Sequence, residues 1–420
     1  MTDIISDAEQ AGFASDLTQS ATIGDSVRAY ASRVRGGDMG ALPSVLGLVV
    51  LFIIFGIAND KFLSNLNMAN LITQAGSIMI LAMALVPVLL LGDIDLSAGV
   101  AGGVSACVMG LLLSKHDQPW YLAVLAAVAV GAFIGLIIGV LVAKLGIPSF
   151  VVTLAFFLGL QGVTLKLIGE GGSVRVSDSV ISGIANDNLK PVWGWIVAVL
   201  IVAGYALFSL AKHRKQVAGG LQHQPLAVVI AQTVGLAVVL FIVTYILNQN
   251  RSFNPNFPIE GIPYVLPVVG VLLIGLTFVL GRTVWGRHVY AVGGNAEAAR
   301  RAGINVDRIR ISVFMLCSGM AALSGIVAAS YGGKVSTSSG GGNVLLYAVG
   351  AAVIGGTSLF GGKGKARDAV IGGLVIATIA NGLGLLNQAS YINFLVTGGV
   401  LLLAASVDAI SRRRRSASGL

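Results

Sequence analysis

The chain has 420 residues, of which 55% are hydrophobic and only 11% are charged, and its mean hydropathy is +0.88. A soluble domain carries about 25% charged residues, and no soluble fold of this size buries so much apolar surface. The composition therefore excludes a soluble enzyme, a disordered protein and a disulfide scaffold, and it predicts that much of the surface faces lipid. The net charge of +9 does not indicate nucleic acid, because the basic residues lie at the ends of apolar segments.

The chain divides into a polar start, a long apolar region and a basic end. Residues 1–41 start acidic and lack the charged start and short apolar core of a cleavable signal peptide, so we expect a cytoplasmic tail. Residues 408–420 predict a second, basic cytoplasmic tail. The region between them, 42–407, holds twelve apolar runs that are candidate membrane helices: 42–58, 71–91, 98–113, 120–142, 150–168, 192–210, 226–247, 264–280, 311–331, 344–359, 369–386 and 392–407.

The basic residues fix the predicted orientation of these runs. With the N-terminus in the cytoplasm and alternating spans, 20 of the 27 Lys and Arg residues fall on the cytoplasmic side, as the positive-inside rule expects. The predicted fold is therefore an all-α polytopic membrane protein of about twelve transmembrane helices, with both termini cytoplasmic.

The fourth run carries glycines at every fourth position, namely Gly131, Gly135 and Gly139. Such a ridge lets a neighbouring helix approach closely. We favour packing within the subunit over a dimer interface.

The sequence offers no chemistry of its own. A proton- or sodium-driven carrier usually places an acidic residue or a histidine inside its spans. Here no such residue lies near the centre of any run. The nearest approach to a phosphate loop, 357–364, lacks its first glycine and the Ser or Thr that would hold magnesium. Cys107 and Cys317 lie in apolar stretches and behave as small hydrophobes. We therefore expect no catalytic, metal or cofactor site.

Uncharged polar residues do occur inside the runs, among them Thr153, Gln161 and Asn381. Such groups exchange hydrogen bonds without the desolvation cost of a charge, which suits a pathway for a sugar. The alternative is that they bond between helices. Asp95 and Ser97, at the start of the third run, are either an N-cap pair or part of a solute path or gate.

The longest predicted cytoplasmic loop is 281–310. Within it, residues 295–302 predict a short helix, with Asn295 as N-cap, Glu297 in the first turn and Gly303 as the stop. This helix either fills a groove of a partner or belongs to a surface connector that arginines anchor to lipid phosphates.

The motif E-A-A-x-x-x-G at Glu297–Gly303 is the docking motif of the membrane subunits of ABC importers. The chain also resembles the permeases of the ribose/xylose branch of that group, and the resemblance covers about 45–410. The stretches that carry it are GDIDLSAG (92–99), KLGIPSFVVTLA (144–155), YAVGGNAEAARRAGINVDR (290–308), AAVIGGTSLFGGKGK (351–365) and ANGLGLL (380–386). The extra pair of runs at 192–210 and 226–247 is typical of xylose-type permeases, so the expected fold is a ten-helix core plus an inserted pair.

The resemblance implies a function. It implies a permease that moves a monosaccharide, most simply a xylose-like pentose, across the bacterial inner membrane. It implies a cytosolic ATPase partner that binds the ATP, a sugar-binding protein outside, and a pathway formed by a homodimer or by one copy with a close relative. The residues it implies for ATPase coupling are Glu297, Ala298, Ala299, Arg300 and Gly303. The alternative is a self-contained secondary sugar transporter or facilitator.

Overall fold

A computed structural model describes residue 40 and residues 42–417, apart from 221, 222, 224, 253 and 255. The predicted N-terminal tail therefore lies outside the described residues except for Gly40, and so do the last three residues of the predicted basic tail.

The described residues form fifteen helices and four very short strands. The helices are, in chain order, α1 (Leu42–Ala58), α2 (Asn65–Leu90), α3 (Ala98–Lys115), α4 (Trp120–Lys144), α5 (Ser149–Ile168), α6 (Ser179–Asn186), α7 (Pro191–Ala218), α8 (Leu226–Leu247), α9 (Val265–Arg282), α10 (Val284–Gly294), α11 (Ala296–Arg301), α12 (Val306–Gly332), α13 (Val344–Gly355), α14 (Ala366–Leu385) and α15 (Ser390–Ala417). The strands are β1 (Ser173–Arg175), β2 (Asn188–Leu189), β3 (Ile262–Pro263) and β4 (Lys334–Ser336). The all-α class predicted from the sequence is confirmed.

Each of the twelve predicted runs coincides with a helix. Within the described part of the chain, nine helices are long and apolar enough to cross a membrane: α2, α3, α4, α5, α7, α8, α9, α12 and α14. The other three predicted runs correspond to the shorter apolar helices Leu42–Ala58, Val344–Gly355 and Ser390–Leu403, the last of which is the apolar part of α15.

The chain separates into two compact units. The larger unit contains Gly40–Asn188 and Pro263–Ile410; the described part of the smaller unit is Leu189–Ile262 and 411–417. The inserted pair predicted from the sequence is α7 and α8, in the smaller unit. These two helices pack on each other, with the rings of Trp195 and Phe241 5.8 Å apart and the Asn248 amide donating to the Pro191 carbonyl at 3.2 Å.

The core of the larger unit is built from α2, α3, α12 and α14, and the glycine ridge of α4 lies against α12. A Cβ added to Gly131 would lie 2.5 Å from the Ser318 carbonyl oxygen, and one added to Gly139 would lie 2.7 Å from the Ile311 Cα. At Gly135 an added Cβ would overlap the Phe314 carbonyl oxygen. The ridge therefore packs within the subunit, as favoured from the sequence.

The turns of the larger unit gather on two opposite faces. On one face, which we call the coupling face, the end of α4 contacts the start of α12 through an ion pair from Lys144 to Asp307 at 3.0 Å. On the other face, β1 pairs antiparallel with β4, with Val174 opposite Val335, and the Ser114 hydroxyl donates to the Arg175 carbonyl at 2.7 Å. This grouping agrees with the alternation of predicted cytoplasmic and outer turns. The assignment of the coupling face to the cytoplasm stays a prediction.

Candidate coupling site and solute pathway

The predicted short helix in the 281–310 loop is α11, and its two ends are fixed by the residues expected to fix them. The Asn295 side chain accepts a hydrogen bond from the Ala298 N–H at 2.9 Å, which confirms the N-cap. At the other end, Gly303 has φ +85° and its N–H donates to the Arg300 carbonyl, while the Ile304 N–H donates to Ala299, both at 3.0 Å. This pair of bonds is a Schellman motif, which a glycine in the left-handed region terminates without strain.

The side chains of α11 divide between anchoring and exposed positions. Ala299 is buried and packs α11 against the rest of the larger unit. Glu297, Ala298 and Arg300 are exposed, and Glu297 pairs with Arg301 at 3.1 Å and with Arg300 at 3.6 Å. Exposed pairs at this spacing add little stability, so their charges remain available to a partner surface.

Directly before α11, the chain touches two other segments of the coupling face through bare backbone. A Cβ on Gly293 would overlap the Leu90 carbonyl oxygen, and a Cβ on Gly361 would lie 2.9 Å from the Gly293 carbonyl oxygen. The same Leu90 carbonyl accepts a hydrogen bond from the Gly362 N–H at 2.9 Å. We call Gly293, Gly361 and Gly362 the glycine junction. These close contacts join the segment before α11 to the end of α2 and to the 356–365 turn.

A second contact links the same segments. The Tyr290 hydroxyl on α10 donates to the Gly364 carbonyl at 2.7 Å. Burial raises the pKa of this phenol, and the neighbouring Asp368 carboxylate raises it further. Tyr290 therefore stays protonated and keeps its donor at neutral pH.

The turn between α2 and α3, residues 91–97, lies next to the glycine junction and carries two acidic residues. Asp93 forms an ion pair with Arg310 of α12 at 3.2 Å. Burial raises the pKa of Asp93, while Arg310 and a hydrogen bond with Ser149 act in the opposite direction. The ion pair ties this turn to the helix that follows α11 in the chain.

Asp95 and Ser97 are brought together, and both are fully buried. The Asp95 carboxylate accepts from the Ser97 N–H at 2.9 Å and from the Ser97 hydroxyl at 2.6 Å, and the Cys317 thiol faces it. Ser97 occupies the N-cap position of α3 without a side-chain bond to that helix. Burial is the main cause that raises the pKa of Asp95. The pair thus shapes the turn at the start of α3, and its role as a gate stays a prediction.

Thr153 of α5 also reaches this turn. Its hydroxyl lies 3.2 Å from the Ile94 carbonyl and 2.9 Å from the Ser149 carbonyl of its own helix. The Ile94 N–H in turn donates to the Ser149 hydroxyl at 3.3 Å. Three of the predicted path residues, Asp95, Ser97 and Thr153, therefore cluster on one turn.

The other two predicted path residues lie elsewhere. Asn381 of α14 exchanges hydrogen bonds with Asn67 of α2 at 2.9 and 3.0 Å and also donates to Gln74 at 3.3 Å. This reciprocal amide pair joins two helices, which is the alternative considered from the sequence. Gln161 is half-buried on α5, two turns beyond Thr153.

Sequence reasoning missed the Asp93–Arg310 pair and the glycine junction. The junction had a visible signal, since the Gly-Gly dipeptides 293–294 and 361–362 both fall inside the stretches that carry the family resemblance. The ion pair had none, because 217 positions separate its partners along the chain.

These features define a multi-pass helical membrane protein with an exposed, firmly capped helix on one face. The chain belongs to the family described as "Branched-chain amino acid transport system / permease component", whose model matches residues 67–212 and 168–405. It is a multi-pass protein of the bacterial inner membrane and a transport subunit.

Among individual relatives, it is 32% identical to the xylose transport system permease protein XylH of Escherichia coli (strain K12), over 91% of this chain and 95% of the relative. It is 30% identical to the ribose import permease protein RbsC of the same strain, over 87% and 92% of the two chains. It is 29% identical to the fructose import permease protein FrcC of Rhizobium meliloti, over 88% and 84%. No solved structure matches the chain.

Proposed function

We propose that this chain is the membrane-spanning subunit of an ABC sugar importer, and that it moves a monosaccharide, most simply a xylose-like pentose. The energy comes from ATP bound and hydrolysed by a separate cytosolic ATPase subunit, so the chain needs no cofactor of its own. A sugar-binding protein outside the membrane delivers the solute, and two copies of the chain form the pathway.

The observation that carries this proposal is α11 and its attachment. A short helix that is capped at both ends and exposed on one side suits insertion into a partner's groove. Its buried side and the adjoining glycine junction connect it to α2 and to the 91–97 turn. A pull on α11 by an ATPase would therefore reach the cluster of Asp95, Ser97 and Thr153.

The relatives support the choice of solute. Those named above carry xylose, ribose or fructose in their names, and all three solutes are neutral and rich in hydroxyl groups. The inserted pair and the higher identity to the xylose permease favour a pentose. Driving a switch between inward- and outward-facing states requires the ATPase to bind the two states with different free energies.

The test uses the full transporter in proteoliposomes, with ATPase and binding protein, and two variants of α11. Glu297→Lys reverses an exposed charge, and Gly303→Val places a branched side chain where φ is +85°. We expect both to lower sugar uptake and sugar-stimulated ATP hydrolysis by about tenfold or more, which is about 1.4 kcal/mol of lost coupling.

Matched controls lie at the end of α5, far along the chain from α11. Glu170→Lys reverses another exposed acid, and Gly171→Val introduces the same side chain at φ +66°, where no described atom stands within 4 Å. Normal uptake by the α11 variants, or an equal loss in the controls, would contradict the proposed coupling role.

A further inference from the structure

The segment that joins α12 to α13 contains the short strand β4 and turns but no helix. Helix α13 has 12 residues, which is about 18 Å of helix, whereas the hydrocarbon core of a bilayer is about 30 Å thick. Helix α13 therefore cannot cross alone, and the residues before it must cover the remaining depth. We call residues 336–343, whose sequence is STSSGGGN, the polar segment.

Contacts with α3 fix the depth of this segment. Beside the outer end of α3, the Val335 side chain would lie 2.9 Å from a Cβ on Gly110. Further along, the Ser339 carbonyl would overlap a Cβ on Gly103, and the Gly340 carbonyl would lie 2.6 Å from a Cβ on Gly99. Positions 99 and 110 are about 16 Å apart on a helix. The chain thus descends along more than half of a membrane-spanning helix without forming a helix itself.

The polar segment holds hydroxyl and amide groups at this depth and no charge. Part of its hydrogen bonding is internal, since the Ser336 N–H donates to the Ser339 hydroxyl at 2.9 Å and the hydroxyls of Ser336 and Ser338 lie 3.0 Å apart. Ser338 is nevertheless exposed, and Thr337 and Asn343 are half-buried. No charged residue occurs between Lys334 and Lys363.

Irregular backbone at membrane depth is tolerated only where protein covers it or where it lines a water-filled cavity. One side of the polar segment is covered by α3. Its exposed side must therefore face either water or another polypeptide. Neutral hydroxyls that both donate and accept match the hydroxyl groups of a sugar, and transporters place such broken spans at their solute sites.

We infer that the polar segment is a solute-contacting wall of the translocation pathway, where the hydroxyls of Thr337 and Ser338 exchange hydrogen bonds with those of a passing monosaccharide. This inference rests on the proposed sugar-import function. It adds a site on the 336–343 segment that is separate in sequence from the cluster at Asp95, Ser97 and Thr153.

The first experiment measures water access and protection in the assembled transporter. Ser338→Cys is treated with a membrane-impermeant, negatively charged methanethiosulfonate, with and without D-xylose or D-ribose delivered by the binding protein. The native Cys107 and Cys317 are buried, so the unaltered chain supplies the background. Leu125→Cys on the exposed side of α4 is the control for a lipid-facing position. We expect Ser338→Cys to react, Leu125→Cys to stay unreactive, and the transported sugar to slow only the former.

The second experiment removes one hydroxyl without changing the shape of the side chain. Thr337→Val should lower uptake by about two- to tenfold, the effect of one neutral hydrogen bond. Thr233→Val on α8 deletes a hydroxyl that bonds only within its own helix, to the Val229 carbonyl at 2.9 Å, and should leave uptake unchanged.

The outcomes distinguish failure of the wall assignment from failure of the proposed function. If the unaltered transporter takes up sugar but Ser338→Cys is unreactive, or reacts equally with and without sugar, the wall assignment is overturned while the sugar permease stands. Spontaneous disulfide formation between two Ser338→Cys copies would likewise overturn it, because the segment would then face a second copy. If neither sugar is transported by the complete assembly, the proposed function fails and this inference fails with it.

Discussion

Two pairs of helices in this chain are each apolar enough to cross a membrane, and yet they differ in what surrounds them. In the larger unit, α2 is buried along almost its whole second half, and α12 packs closely against it and against α4. In the smaller unit, α7 and α8 cover each other on a narrow strip and expose the rest, as at Leu207, which is 70% exposed. Apolar content therefore identifies a membrane helix, but only small residues and polar pairs identify a helix that contacts others on all sides.

The difference predicts where substitutions should impair transport. Glycine contacts, the Asn67–Asn381 amide pair and buried carboxylates lie in the larger unit, where we expect a shift of one element to displace the next. The described part of the smaller unit consists mainly of surface that suits lipid, so substitutions there should be tolerated. The following variants test this contrast by placing the same change in both settings.

The largest effect is expected from Gly135→Leu. An added side chain at this position would collide with the backbone of α12, and overpacking of this kind costs about 1–3 kcal/mol or more. The matched variant Gly235→Leu on α8 has no described atom within 4 Å of the new Cβ. We expect a strong fall in melting temperature and yield in detergent for the first variant only. Equal behaviour of the two variants would break the contrast.

A smaller effect, seen in coupling rather than folding, is expected from Gly293→Val. This change separates the glycine junction, because the new Cβ would overlap the Leu90 carbonyl oxygen. The neighbouring Gly294→Val is the control, since its Cβ would meet none of the described atoms within 4 Å. We expect sugar uptake to fall about tenfold or more for Gly293→Val, which is about 1.4 kcal/mol, with little change for Gly294→Val.

Sugar uptake by both variants is measured in proteoliposomes, and the melting temperature of each is measured alongside it. A variant that melts normally and transports normally would show that the junction does not transmit motion.

A more modest effect is expected from Asn381→Leu, which leaves the Asn67 amide without its partner on α14. Polar contacts between membrane helices are worth about 0.6 kcal/mol on average and reach about 1.7 kcal/mol. The double variant Asn67→Leu/Asn381→Leu removes both amides, so its loss of stability should be smaller than the sum of the single losses. Thermal unfolding in detergent measures all three, and strictly additive losses would argue against a direct pair.

The smallest effect concerns the pH dependence of stability at Asp95. Because burial raises its folded pKa, the folded state keeps a proton that the unfolded chain has already lost. The free energy of unfolding should therefore fall as pH rises from the ordinary aspartate pKa through the raised folded value. Asp95→Asn, which cannot ionise, should show a flatter dependence. Melting curves between about pH 4 and pH 8 test this, and identical slopes in both proteins would refute it.

Much of this architecture could be predicted from the sequence, because hydropathy and capping act locally. The runs at 120–142 and 226–247 coincide with α4 and α8, and α11 begins after Asn295 and ends before Gly303, as the capping preferences of these two residues predict. The ribose/xylose resemblance is confirmed by the family and by its named members.

What the sequence could not supply depends on distant partners. The run at 344–359 is short for a span and could be tilted, broken or re-entrant on sequence grounds. The helix is only Val344–Gly355, and irregular chain precedes it. The polar segment before α13 lies along α3 because Gly99 and Gly103 leave room for its backbone. No local sequence rule predicts that contact. The bond between Asn67 and Asn381 is equally invisible along the chain, so Asn381 alone suggested a solute path as readily as a helix contact.

The central claim is that this subunit supplies a pathway and a coupling helix, while the motor lies on separate polypeptides. The most direct measurement is D-xylose accumulation in vesicles that contain the purified chain alone, compared with vesicles that also contain the ATPase and the binding protein with ATP. We predict no concentrative uptake by the chain alone, with or without a proton gradient, and uptake only by the complete assembly. Concentrative uptake by the lone chain would contradict the account.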